Sequence, residues 1–233
     1  MACSPSLSDQ IPLSTFPFLT LQEFECACRA FLNRIHVLGL EGVRWSSARF
    51  AQQATGPVLK ISRSICKSSI RHYNILPGSV ATAEPQVEIC EDDPEALIRT
   101  PDPSVCLQID YDIIWSPTYQ TPVLYFLLRH SNHPGPLGID EVYQYLVPDQ
   151  YKRELQNVGV MGGISFGYHP QSGIPAFFVH PCNTADAMKQ IANPQHITPE
   201  LYLIMWIGIV GSRLSLHLPR EIFEMDGLQK LEG

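Results

Sequence analysis

The sequence predicts an α+β fold, with an antiparallel sheet of about four or more strands and helices packed on one face. Three observations lead there. Val105 to Trp115 alternates apolar and polar residues, and the nearly all-apolar run Val123 to Leu128 follows it closely. A helix with a capping signal starts at Thr20, ahead of the strands. Another starts at Thr198, after them. Strands that succeed one another in sequence, with helices set to either side, favour an antiparallel sheet covered on one face.

The elements follow in order. Residues 1–19 are polar and Pro-rich and read as an N-terminal tail that orders on contact. Thr20 with Glu23 three residues on makes a capping box, because each side chain can satisfy an amide left exposed at a helix start. Leu21, Phe24, Cys28, Phe31, Leu32 and Ile35 then share one helical face. Val43 to Phe50 and Val58 to Ile61 read as short strands. The stretch 63–96 carries Pro77, Gly78, Pro85 and Pro94 and an acidic run from Glu88 to Glu95, so it reads as a long loop or insertion. The acidic run is a solvated face or a docking site for a basic partner.

Val105, Leu107, Ile109, Tyr111, Ile113 and Trp115 form the apolar side of a half-buried antiparallel strand. Val123 to Leu128 reads as a central strand, and Ser116 to Pro122 joins the two. Asp140 can cap a short helix ending near Leu146, and a second short helix covers Tyr151 to Gln156. Gly159, Gly162 and Gly163 mark a connection of undetermined conformation. Ile174 to Val179 is a further apolar run, and it leads straight into His180-Pro181-Cys182. Thr184 reads as the cap of a helix over Ala185 to Ala192. Thr198-Pro199-Glu200 opens a helix that stops at Gly211, and Leu214, Leu216 and Leu218 suggest a terminal strand. The organisation expected is one domain over 20–225, with residues 226–233 as a C-terminal tail.

Composition narrows the function. The 233 residues are 45% hydrophobic and 17% charged, as in a globular domain. Asp and Glu outnumber Lys and Arg by 23 to 16, and no basic cluster offers itself to phosphates, which argues against nucleic acid as a partner. The most apolar run, Leu201 to Val210, is about half the roughly 20 residues that a membrane span needs. The seven cysteines are an odd number without a secretory signal, which points to free thiols in a reducing compartment, the cytoplasm. Cys26-Ala27-Cys28 lacks the spacer of a zinc-chelating pair, so neither metal nor cofactor is expected.

Cys182 stands out on physical grounds. It follows a buried run, and Pro181 fixes the backbone just before it. A helix starting near Thr184 would set free amides and a positive dipole end beside the thiol, which raises its thiolate fraction. The same amides could hold the oxyanion formed when a thioester is attacked. A buried, inert cysteine ahead of a helix is the competing reading. His180 is either a base or a structural imidazole.

Phe177-Phe178-Val179-His180-Pro181-Cys182-Asn183-Thr184 resembles the catalytic segment of the autophagy-related protein 10 family. The hairpin Asp110 to Phe126, His169-Pro170 with Gly173 and Pro175, and the ending Trp206, Val210-Gly211 and Leu216 to Pro219 resemble further segments of that family. The resemblance spans roughly residues 105–220. It implies a ubiquitin-conjugating-enzyme-like core and a thioester-forming Cys182. Tyr119 matches a tyrosine near the catalytic or acceptor-binding region, and His180, Pro181 and Thr184 match the motif around the nucleophile. The implied partners are an autophagy ubiquitin-like modifier, its activating enzyme and an acceptor protein, with recruitment to the site of autophagosome formation. Ordinary ubiquitin-conjugating enzymes carry His-Pro-Asn ahead of the cysteine. This chain has His169-Pro170-Gln171, farther away, so Asn183 becomes an alternative oxyanion donor or a residue that only shapes the turn. Two other readings stay open: a lipid-conjugating autophagy relative, and a non-catalytic adaptor with the same fold.

Overall fold

The computed structural model describes residues 12–39, 45–66, 106–131, 135–157, 163–192 and 197–223. Helix α1 spans Leu21–Leu38. Its capping box is formed: the Glu23 amide donates to Thr20 Oγ1 (3.2 Å) and the Thr20 amide to Glu23 Oε2 (2.8 Å). The other Glu23 oxygen accepts both the amide and the hydroxyl of Ser14, each at 2.8 Å. One carboxylate therefore starts the helix and pins the segment before it. Leu13 and Leu19 in that segment are buried, so these residues, read as tail, lie against the core.

Six strands make one antiparallel sheet in the order β1-β2-β3-β4-β6-β5. They are β1 Ser47–Gln53, β2 Gly56–Cys66, β3 Cys106–Ser116, β4 Thr121–His130, β5 Ile164–Tyr168 and β6 Pro175–Val179. The alternation in β3 has its expected effect. Leu107, Ile109, Tyr111 and Ile113 are fully buried toward α1, while Gln108, Asp110 and Asp112 face the other way and are only partly covered. Phe24 and Phe31 of α1 meet this buried face, each burial contributing about 2 kcal/mol. The helix α5, Pro199–Trp206, lies beside α1 on the same face. Thr198 caps it, its Oγ1 accepting the Leu201 amide at 3.2 Å. Arg34 of α1 grips Glu200 through Nε (2.7 Å) and Nη2 (2.9 Å), joining the two helices through a largely covered ion pair.

Several elements differ from expectation. β1 starts at Ser47, later than Val43, and residues 40–44 lie outside the described set. β2 runs on to Cys66, so Arg63 to Cys66, read as the start of an insertion, belong to the sheet, where they pair with β3. The remainder of that insertion and the acidic run lie outside the described residues, as do Gly159, Gly162 and the C-terminal tail. Helix α2, Ile139–Tyr145, starts from Gly138 with no side-chain cap; Asp140 sits inside its first turn and acts there through its charge. Helix α3 is Asp149–Asn157.

The terminal strand is absent among the described residues. α5 loosens into a π-helical turn, Ile207–Gly211, and the chain then folds back on itself. The amides of both Leu214 and Leu216 donate to Gly211 O, at 2.9 and 2.8 Å. Leu214 and Leu216 alternate because a tight turn buries both, not because they pair in a sheet. Gly211 makes that return possible: a Cβ there would stand 2.8 Å from Leu216 O. Gly211→Ala is therefore expected to cost about 1–3 kcal/mol, read as a lower urea midpoint at unchanged slope.

Candidate active site

The site begins where β6 stops. Pro181 and the fixed φ of its ring turn the chain into a 3-10 turn, Pro181–Asn183, that holds Cys182. Pro181 is buried and Cys182 partly exposed, so the turn is anchored while its thiol side stays reachable. The Cys182 amide donates to His180 Nδ1 at 3.3 Å. An imidazole whose Nδ1 accepts carries its proton on Nε2 when neutral. In this geometry His180 Nδ1 caps the turn that holds Cys182.

Helix α4, Thr184–Ile191, follows at once. Its cap is Asn183, with no side-chain hydrogen bond, and Thr184 is its first residue. Thr184 is buried, and its amide donates to Pro181 O. The expectation that Thr184 caps a helix beside free amides is therefore corrected. The proline-started 3-10 turn moves the helix start forward, and the amides of Cys182 and Thr184 are both already bonded. Asn183 is exposed next to the thiol.

Tyr119 reaches the same place from the β3–β4 turn. Its ring meets that of His180 edge-on, with centroids 5.5 Å apart. The turn is held by the segment before α1: Leu19 donates its amide to Gln120 O (2.8 Å) and accepts from Trp115 Nε1 (2.8 Å). Thus a fully buried leucine far away in sequence fixes the tyrosine that flanks the cysteine. Tyr119 itself is 37% exposed.

A second layer of side chains lies across the sheet face opposite the helices. From His180 the rings continue through Phe178 (6.3 Å), Tyr125 (5.3 Å further) and His169 (5.2 Å further). His169 Nδ1 accepts the amides of Gln171 (3.3 Å) and Ser172 (3.2 Å), which puts the ring proton on Nε2, 3.1 Å from Asp112 Oδ2. Asp112 also pairs with Lys60. Burial alone pushes the Asp112 carboxyl up. The His169 imidazole and the Lys60 ammonium beside it outweigh that, and the carboxyl titrates below its ordinary value.

The loop that carries His169 folds back over this face. Gln171 Nε2 donates to Gly56 O at 3.2 Å. β2 stands three strand spacings from β6, roughly 14 Å at the usual 4.8 Å spacing. Gln171 is thus tied to β2, with β3 and β4 lying between it and β6. Of the residues singled out in the sequence, Tyr119, His180, Cys182, Asn183 and Thr184 gather where β6 ends, while Gln171 is bonded to Gly56 at the start of β2. Asp112, Tyr125 and Phe178 went unremarked as neighbours of the site. Their alternation onto one face was readable, but the strand pairing that aligns them was not.

The sequence matches a family model described as "Autophagocytosis associated protein, active-site domain" over residues 23–221. It is 37% identical over 236 residues to the ubiquitin-like-conjugating enzyme ATG10 of Gibberella zeae, covering 90% of this chain and 98% of that one. The chain belongs to the ATG10 family of ubiquitin-like-conjugating enzymes. The Homo sapiens protein of that name is 30% identical over 208 residues, with 87% of this chain and 91% of the other covered. Among solved structures, a crystal structure of the autophagic E2 Atg10 aligns with a TM-score of 0.48 at 12% identity, over 86% of this chain and 99% of that one.

The acid limb of stability provides a test of the Asp112 cluster. A carboxyl held below its unfolded value stabilises the fold above the ordinary carboxylate range and loses that contribution as pH falls through its folded value. Asp112→Asn is expected to be less stable than the parent at pH 7, the gap closing as pH falls below about 4, the ordinary carboxylate value, in urea titrations. Glu23, also held low by Ser14 and Thr20 against its own burial, keeps its share of the acid slope in both proteins. A gap that stays constant with pH would assign the loss to packing instead.

Proposed function

We propose that this ATG10-family chain accepts an autophagy ubiquitin-like modifier from its activating enzyme as a thioester on Cys182. It then passes the modifier's C-terminal glycine to a lysine of an acceptor protein. The observation that carries this reading is the placement of Cys182: a partly exposed thiol in a proline-started, histidine-capped turn within the matched active-site domain. Cys28 makes the contrast. It is fully buried in α1, and desolvation pushes its thiol well up, out of the reactive range.

The chemistry follows from the groups present. In loading, the Cys182 thiolate attacks the thioester carbonyl on the activating enzyme, and that enzyme's thiolate leaves. In transfer, the acceptor amine attacks the Cys182 thioester, the C–S bond breaks, and the amine proton passes to water. Neither step requires a metal or an organic cofactor. Tyr119, exposed beside His180, is the side chain that the acceptor meets first on approaching the thiol. His180 keeps the turn in shape. This work belongs to the cytoplasm, where the modifier and activating enzyme operate at sites of autophagosome formation. No helix among the described residues is long and apolar enough to cross a membrane.

Cys182→Ser decides the matter. With activating enzyme, modifier and ATP, the variant is expected to hold the modifier as an oxyester that survives thiol reductant, and to form no conjugate above background. Normal conjugate formation by the variant would contradict the assignment.

A further inference from the structure

We infer that the Thr121 hydroxyl is the hydrogen-bond donor that receives the oxyanion when the Cys182 thioester is attacked. The inference rests on the assignment of Cys182 proposed above and supplies what that assignment lacks. Thr121 opens β4 and is only 1% exposed. Its Oγ1 has no hydrogen-bond partner among the described residues. A buried hydroxyl without a partner costs stability, so its presence calls for an explanation.

Position provides one. Tyr125 pairs with Phe178 in the β4–β6 ladder. Carried toward the start of β4, that register sets Val123 at the level of His180 and Thr121 at the level of Cys182. Alternation puts Thr121, Val123 and Tyr125 on one face, and Tyr125 meets Phe178 there. Two further contacts agree. β4 touches the Pro181–Asn183 turn, and the ring of Tyr119, two residues before Thr121, touches that of His180, two residues before Cys182. The other unpartnered buried atoms among the described residues have other places: His169 Nε2 faces Asp112 Oδ2 at 3.1 Å. His130 Nδ1 is at the opposite end of β4, Trp206 Nε1 is in α5, and Gln171 Oε1 is over by Gly56. Among rival donors, the Cys182 and Thr184 amides are bonded and Gln171 Nε2 is tied to Gly56 O; Asn183, exposed and without a capping bond, is the remaining rival.

The step balances. The amine nitrogen of a lysine bonds to the thioester carbonyl carbon, and the carbonyl π pair moves to oxygen, which Thr121 Oγ–H then holds. When the intermediate collapses, the C=O re-forms, the C–S bond breaks and Cys182 leaves as thiolate. The amine proton goes to water. A donor poised at the developing charge and unpaired in the resting enzyme favours the intermediate over the ground state.

The test is single-turnover discharge of the preloaded Cys182 thioester to free lysine, followed on non-reducing gels, for the parent, Thr121→Val and Thr121→Ser. Loading by the parent is checked first. If it forms no thiol-sensitive adduct, the reading of Cys182 fails and not the role of Thr121. With loading established, Thr121→Val is expected to discharge about 100-fold more slowly, the usual effect of removing one oxyanion donor. Thr121→Ser, which keeps the hydroxyl, should stay within about tenfold of the parent. Because the lost hydroxyl is unpaired, Thr121→Val should melt no lower than the parent. Discharge of Thr121→Val at the parental rate overturns the proposal. So does a slow Thr121→Val that also melts lower and is not rescued by Ser, since that pattern marks a packing residue.

Discussion

The site depends on the register between β4 and β6. Phe126 pairs with Phe177 and Tyr125 with Phe178, and the rings of each pair meet across the strands at 5.7 and 5.3 Å. Phe126 and Phe177 point to the core and are buried, which fixes the alternation of everything after them. A slip of one residue would turn Phe178 inward and carry His180 to the wrong face. The cost of exposing Phe177 in exchange is what holds the register. β6 then ends level with the β3–β4 turn, so Tyr119 and His180 touch although 61 positions separate them (180 − 119 = 61).

Around that register the protein spends polar groups on rigidity. His180 uses its acceptor nitrogen to cap the cysteine turn, and His169 uses its own to close the loop after β5. Both histidines thereby adopt a defined tautomer and shape backbone. Asp112 sits between His169 and Lys60, so the β5–β6 loop is drawn over β2 and β3. Val58, Ile114 and Val123 are buried on this side, away from the main core. The sheet therefore has a second, smaller apolar layer under that loop. A partly buried carboxylate is tolerated there because two cationic or donor groups face it; removing either would leave charge without compensation.

Much of this was legible from the chain. The capping boxes and caps at Thr20 and Thr198, the alternation of β3 and the apolar run of β4 all reflect local rules, and they appear within a few residues of where those rules place them. What escaped depended on distant contacts. β5 was overlooked although Ile164, Phe166 and Tyr168 alternate with Ser165 and Gly167. Gly167 and the neighbouring His169-Pro170 read as loop, and pairing with β6 overrode them. Leu214 and Leu216 imitate a strand because a close return over Gly211 buries both. At the site, the helix start at Thr184 could not be placed, since the helix continues directly from the 3-10 turn and so begins one residue before Ala185. The unpartnered hydroxyl of Thr121 has no signature in sequence at all. It becomes visible only once the strand pairing and the burial of β4 are known.

The central claim is that Cys182, out of seven cysteines in the chain, carries the modifier. Mass spectrometry of the thiol-labile adduct, digested under acidic conditions that preserve thioesters, tests it directly. The account predicts the modifier's C-terminal glycine on the peptide containing His180-Pro181-Cys182. An adduct on Cys26, Cys106 or any other cysteine, with Cys182 unmodified, would contradict it.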